Sequence, residues 1–264
     1  MGVAKLVAFF YLYQALFLML GFVAGYLYYY FTVGPIDYEA YTLLPQATTC
    51  RATGLAAGMT LSSLVMIAHL FVFKYVRPAR ELFGCVRGGV LLLSTLFIGC
   101  LMVVFNIIAA WLGLENNSEA EVKMMLSSPM GILTVAVLAP LLEELLFRGV
   151  AQRVLARYFK SPWVGIIVAA LLFGVVHGNP VQIFYATCLG VGFGWLYHRT
   201  GSLLPAIVGH MVNNSLAVLV SKLFGSGSDA EVPVGSSGEL AMVILFLLLA
   251  FVFARAINKR CSSL

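Results

Sequence analysis

Residues 6–31 read LVAFFYLYQALFLMLGFVAGYLYYYF, a run with no charged side chain and one amide, Gln14. A helix that crosses a bilayer needs about 20 mostly apolar residues. The run is long enough for a tilted crossing helix, and it exceeds the ~7–15 apolar residues of a secretory signal peptide. This stretch therefore predicts a chain that is folded in a membrane.

The composition extends this prediction to the whole chain of 264 residues, which is 61% hydrophobic and only 10% charged. Soluble domains carry roughly 25% charged residues. Eight segments are apolar enough to cross a membrane, or nearly so: Leu6–Phe31, Gly54–Phe73, Gly88–Leu112, Pro129–Phe147, Pro162–Val176, Val181–Tyr197, Leu203–Leu223 and Leu240–Ala254. We therefore expect an all-α, polytopic protein with about eight spans in one integral membrane domain, residues 1–264. The sequence contains no basic run interleaved with aromatic residues of the kind that would indicate nucleic-acid binding.

The cationic residues predict the orientation, because Lys and Arg are concentrated in cytoplasmic loops. If eight spans are threaded from a cytoplasmic N-terminus, 13 of the 16 Lys and Arg fall on the cytoplasmic side: Lys5, Lys74, Arg77, Arg80, Arg87, Arg148, Arg153, Arg157, Lys160, Arg199, Arg255, Lys259 and Arg260. The other side holds Arg51, Lys123 and Lys222, together with most acids: Asp37, Glu39, Glu115, Glu119, Glu121, Asp229, Glu231 and Glu239. We expect both termini in the cytoplasm and a location in a bacterial inner membrane.

Polar residues inside spans are costly and mark functional sites. Here they are concentrated in spans four, five and seven: Glu143, Glu144, Arg148, His177, His210, Asn213 and Asn214. A Glu–Arg pair can be a simple anchor at a helix end, and a lone His or Asn can be a hydrogen bond between helices. Because all of these occur together, a shared catalytic site is the better interpretation.

Helix geometry separates the two adjacent glutamates. Glu144 and Arg148 are four residues apart, so they share a face and can form an ion pair. Glu143 points about 100° away and has no cation at helical spacing, which favours it as a general base. On the same spacing rule, His210 and Asn214 share a face. Pro140 removes a helix hydrogen bond one turn before Glu143.

Three motifs now resemble those of the CPBP family, the CAAX proteases and bacteriocin-processing proteins, also called the Abi family. The segment PLLEELLFRG, residues 140–149, is similar to its Glu-Glu-x-x-x-Arg motif, and LFGVVHG, residues 172–178, to its Phe-x-x-x-His motif. The segment HMVNN, residues 210–214, is similar to its His-x-x-x-Asn motif. The resemblance covers residues 129–223, the predicted catalytic core.

The resemblance implies an intramembrane endopeptidase that hydrolyses a peptide bond of a membrane-anchored peptide or protein. It implies that Glu143 with His177 activates a water, and that His210 and Asn214 stabilise the oxyanion. Glu144 and Arg148 would support the site. The expected mechanism uses no cofactor, but a zinc mechanism, with Glu143, His177 and His210 as ligands, stays open.

Two other classes of function stay open, a non-catalytic bacteriocin-immunity or membrane regulatory protein and a proton-coupled transporter. The predicted boundaries also contain a conflict, since Glu143 falls near the end of its span and His177 falls near the opposite end of the next. The amphipathic run from Gln152 to Lys160 favours helices that extend beyond Phe147, with a site that opens toward the cytoplasm.

Overall fold

The computed structural model describes residues 2–76, 82, 84, 86–224 and 237–261. Within them the regular structure is entirely helical: α1 (Val3–Thr32), α2 (Tyr38–Leu43), α3 (Thr48–Val72), α4 (Gly88–Trp111), α5 (Glu119–Met125), α6 (Pro129–Tyr158), α7 (Pro162–Val175), α8 (Pro180–Thr200), α9 (Leu204–Phe224) and α10 (Ser237–Cys261). Four charges used for the predicted orientation lie outside the described residues: Arg77, Arg80, Asp229 and Glu231.

Each of the eight predicted segments corresponds to a helix, and the chain is a polytopic all-α membrane protein. In the described ranges, six helices are long and apolar enough to cross a membrane, namely α1, α3 with the 3₁₀ turn before it, α4, α6, α9 and α10. Helix α7 is apolar but shorter, and α8 is not among the six. The number of eight spans therefore stays a prediction.

Helix α6 runs to Tyr158, beyond the apolar segment that ends at Phe147, which agrees with the extension that the amphipathic run from Gln152 to Lys160 favoured. The longer helix removes the conflict in depth, because Glu143 lies 15 residues before Tyr158 and His177 lies 15 residues after Pro162. At ~1.5 Å per helical residue, both lie about 22 Å from the hairpin that joins α6 to α7.

Three consecutive core helices begin with the same local device, a side-chain cap followed by proline. Ser128, Ser161 and Asn179 each accept a backbone N–H from the first turn of α6, α7 or α8. Proline in the first helical position loses no hydrogen bond, because that N–H has no helical partner. The predicted hairpin between spans five and six is present, with Gly178 at φ +67° between α7 and α8.

Long-range hydrogen bonds show which helix termini lie at the same end of the bundle. Arg153 near the end of α6 donates to the carbonyl of Tyr75 just after α3. Arg199 at the end of α8 donates to the carbonyl of Asn258 near the end of α10. We call this end, which also contains the starts of α1, α4 and α7, the basic end. The opposite end, which contains α2, α5 and the α7–α8 link, is called the cap end.

Helices α1 and α3 pack with their backbones in contact through two Gly-x-x-x-Gly pairs. A Cβ atom at Gly21 would overlap the carbonyl of Gly54, and one at Gly58 would overlap the carbonyl of Phe17. Gly25 faces the carbonyl of Cys50 in the same way. Small residues permit such close approach in a membrane, where dispersion forces rather than water drive helix association.

We expect Gly54→Val to lower the melting temperature of the detergent-purified protein, because overpacking a tight contact costs about 1–3 kcal/mol. Gly99→Ala is the matched control, since a Cβ atom there meets nothing within 4 Å. Equal melting temperatures for the two variants would show that the glycine contact is not needed for stability.

Candidate active site

The centre of the site is a buried hydrogen-bonded group of Glu144, Arg148 and His210. Oε1 of Glu144 lies 2.8 Å from Nη1 of Arg148 and 2.8 Å from Nδ1 of His210. The Glu144 side chain is 0% exposed, so its charge has no water to stabilise it. The predicted ion pair is therefore present, and His210 from α9 joins it as a further donor.

The guanidinium group of Arg148 contacts both α7 and α8. Its Nη2 donates to the carbonyl of Gly190 at 3.1 Å. Its guanidinium carbon lies 4.3 Å from the ring centre of Phe173 and 5.2 Å from that of Phe193, distances at which cation–π attraction acts. A Cβ atom at Gly190 would approach Nη2 to 3.0 Å, so glycine leaves room for the guanidinium.

Glu143 lies on the neighbouring face of α6 and is partly exposed to the cavity. Its Oε2 lies 3.6 Å from Nε2 of His210. Because a carboxylate only accepts hydrogen bonds, the Glu144 contact assigns a proton to Nδ1 of His210. In the neutral ring, Nε2 would then be a second acceptor that faces Glu143, so a proton or a water is needed between them.

His177 follows the last turn of α7 and is oriented by the residue four positions earlier. Its Nδ1 lies 2.8 Å from the carbonyl of Phe173, which can only accept, so Nδ1 is the donor and Nε2 is available. The Phe173 ring also packs edge-on against the imidazole at 5.0 Å. In the part of the chain that the structure describes, no contact within ion-pair distance joins His177 to Glu143, although both line the same two cavities.

Asn214 is held by a carbonyl that the helix backbone leaves free. Residues 134–138 and 144–152 of α6 form π-helical turns, and the N–H of Ala139 donates to Thr134, five residues earlier. In this pattern the carbonyl of Val135 would pair with residue 140, which is proline and has no N–H. It accepts from Nδ2 of Asn214 at 2.9 Å instead. The Pro140 effect predicted from sequence thus orients a site residue on α9.

A chain of polar side chains continues from Asn214 through Asn213 to Tyr185 and Asn106, whose part in the site the sequence did not indicate. Asn213 donates to Oδ1 of Asn214 and accepts from the hydroxyl of Tyr185, which in turn accepts from Asn106. Tyrosines are common in apolar helices, so nothing in the sequence separated Tyr185 from an interfacial aromatic residue.

A cavity of about 360 Å³ connects these side chains. Glu143, His177, His210 and Asn214 all line it. It extends along α8 and α9 to Gln182 and Ser221, and to Val122 of α5 and Leu126, the residue after α5. The cavity therefore runs from the polar group to the cap end. Toward the end that holds Arg153 to Lys160, where the sequence predicted the opening, α6 buries side chains such as Phe147 and Gln152.

A second cavity of about 170 Å³ lies between α1 and the catalytic helices. Glu143 and His177 line it together with Tyr11 and Gln14 of α1. The hydroxyl of Tyr11 donates to the carbonyl of Val176 at 3.2 Å, which joins α1 to the residue after α7 beside this cavity.

The zinc alternative can be tested against the arrangement of donors. Among the residues that the structure describes, no three His, Cys, Asp or Glu side chains are grouped closely enough to hold a metal ion. Among these residues, Glu143, His177 and His210 do not form such a group.

The fold and the site together define an integral membrane protein whose polar site residues line a cavity inside its helical bundle. Residues 125–216 match the family model described as "Type II CAAX prenyl endopeptidase Rce1-like". This match confirms the resemblance predicted from the three motifs, and it covers α6, α7, α8 and most of α9.

Two curated bacterial proteins are similar to part of the chain. A Bacillus subtilis (strain 168) protein described as "Putative membrane peptidase YdiL" is 27% identical over 106 residues, 40% of this chain and 43% of that protein. An Escherichia coli protein described as "Uncharacterized 24.3 kDa protein" is 34% identical over 92 residues, 33% of this chain and 42% of that protein. The chain thus spans less than half the length of these relatives. No solved structure matches it.

We expect Arg148→Met to lower the free energy of unfolding by about 3–5 kcal/mol, because it leaves the buried Glu144 carboxylate without its cation. The double variant Glu144→Gln with Arg148→Met removes both charges and should lose less. Thermal unfolding in detergent measures both. A double variant that is less stable than Arg148→Met would contradict this account of the pair.

Proposed function

We propose that the protein is an intramembrane endopeptidase of the CAAX type, which hydrolyses a peptide bond of a membrane-tethered substrate with a water activated by Glu143 and His177. The observation that carries the proposal is the cavity in which Glu143, His177, His210 and Asn214 converge. The match to the Rce1-like family model supports the class of reaction.

Glu143 and His177 act on the attacking water. Nε2 of His177 is an acceptor, because Nδ1 donates to the carbonyl of Phe173, and the Glu143 carboxylate is a second acceptor. A water that donates to both has its oxygen directed at a substrate carbonyl. Glu143 takes the water proton as the oxygen adds to the carbonyl carbon, and passes it to the leaving nitrogen as the C–N bond breaks.

His210 and Asn214 stabilise the negative charge that develops on the carbonyl oxygen. One N–H of Asn214 donates to Val135, and its second N–H serves the oxyanion. His210 donates through Nε2, which requires a proton on both ring nitrogens. Its positive charge is balanced by Glu144 at Nδ1, so Glu144 and Arg148 position His210. Donors fixed before the reaction stabilise an oxyanion without reorganisation.

We expect Glu143→Gln to reduce cleavage of a membrane-tethered peptide by at least ~100-fold, the usual contribution of a general base. Because Glu143 is outside the buried ion pair, the melting temperature should stay unchanged. The measurement is product formation in proteoliposomes by mass spectrometry, and the control is Glu115→Gln, which changes an exposed carboxyl that does not line the cavity.

Unchanged cleavage by Glu143→Gln would contradict the proposed base. If the unaltered protein cleaves no tethered peptide, while a membrane phenotype in cells survives Glu143→Gln, the immunity or regulatory alternative is favoured instead.

We expect full activity after extensive dialysis against a chelator, since the proposed mechanism needs no metal. The measurement is the same cleavage assay, with zinc added back in a parallel sample. Loss of turnover that zinc restores would overturn the metal-free mechanism and favour Glu143, His177 and His210 as ligands.

A further inference from the structure

We infer that the catalytic cavity is entered from the extracytoplasmic side of the membrane, so that the substrate is a membrane-tethered polypeptide whose cleaved bond lies on that side. The identity of the reaction rests on the proposed function. The side of entry rests on two observations, the direction of the cavity and the distribution of charge.

The cavity leads to the cap end. Beyond the polar group, its walls are formed by Val122 of α5 and the adjoining Leu126, by Gln182 at the start of α8 and by Ser221 in the last turn of α9. The loop before α5 lies at the same end, since Nδ2 of Asn179 is 2.8 Å from Oδ1 of Asn116 and 2.7 Å from the hydroxyl of Ser118.

The opposite direction is filled with protein. Between the ion pair and the basic end, α6 buries Phe147, Val150, Ala151 and Gln152. Gln152 donates to the carbonyl of Gly194 at 3.0 Å, which joins α6 to α8 between the site and the basic end. The polar group is therefore separated from the basic end by packed side chains.

Charge distinguishes the two ends. Ten described cations lie at the basic end: Lys5, Lys74, Arg87, Arg153, Arg157, Lys160, Arg199, Arg255, Lys259 and Arg260. The cap end has the cations Arg51, Lys123 and Lys222 and the acids Asp37, Glu39, Glu115, Glu119 and Glu239.

Loops rich in Lys and Arg stay in the cytoplasm when a chain is inserted. The basic end is therefore the cytoplasmic one, and the cavity faces the other compartment. A peptide that reaches Glu143 along α8 and α9 must approach from that compartment, and the apolar side chains that line most of this path, such as Leu189 and Val218, suit an apolar segment next to the cleaved bond.

Cysteine labelling tests the side directly. The five native cysteines (Cys50, Cys85, Cys100, Cys188 and Cys261) are first replaced by serine. Asn117→Cys then reports the cap end and Tyr158→Cys the basic end, both at exposed positions. In right-side-out spheroplasts, a membrane-impermeant maleimide should label Asn117→Cys at least about tenfold faster than Tyr158→Cys, and inverted vesicles should reverse the order. The opposite pattern overturns the inference.

A fluorescent reporter that folds only in the cytoplasm, fused after Leu264, gives a second measurement if the cysteine variants fold poorly. Fluorescence is expected, because the end of α10 lies at the basic end. An expressed but dark fusion overturns the inference.

A substrate assay separates this inference from the proposed function. A reporter with one transmembrane segment carries the same peptide on either the cytoplasmic or the outer side. Cleavage of the outer copy is expected. Cleavage of the cytoplasmic copy alone keeps the protease and overturns the side of entry. If the labelling pattern is as expected and neither copy is cut, the proposed protease activity fails while the sidedness stands.

Discussion

The buried carboxylate of Glu144 is the constraint on which the site depends. A charge without water is unfavourable unless partners surround it, and here one oxygen is paired with Arg148 of its own helix and His210 of α9. Arg148 in turn is bound to the Gly190 carbonyl of α8 and lies over Phe173 of α7. Four helices are therefore fixed relative to one another by a single ion pair and its neighbours.

Irregular backbone geometry also orients polar side chains of the site. The π-helical turns of α6 and the missing N–H of Pro140 leave the carbonyl of Val135 for Asn214. The C-terminal turn of α7 offers the carbonyl of Phe173 to His177. π-helical turns are rare and often occur at functional sites, where a helix must depart from its regular pairing. In both cases a backbone acceptor determines where a polar side chain of the site points.

The remaining helices pack against part of this core. Helices α1 and α3 are joined by glycine contacts, while α1 and α10 leave much apolar surface exposed, as lipid-facing helices do. The family match is confined to residues 125–216, so α1 to α4, α5 except Met125, the end of α9 and α10 lie outside it. Tyr11 and Gln14 of α1 nevertheless line a cavity beside Glu143.

The sequence by itself determined the all-α membrane class, the ion pair of Glu144 with Arg148, and the pairing of His210 and Asn214 on one face, because helical spacing and hydropathy are local properties. It also indicated, from the amphipathic run after Phe147, that the fourth helix continues beyond its apolar segment, but not that the Gly194 carbonyl of α8 pairs with Gln152 there. Only the tertiary structure decided that His210 joins Glu144 and approaches Glu143, and that the cavity leads to the cap end. Both depend on how separate helices pack, which spacing along one helix does not encode.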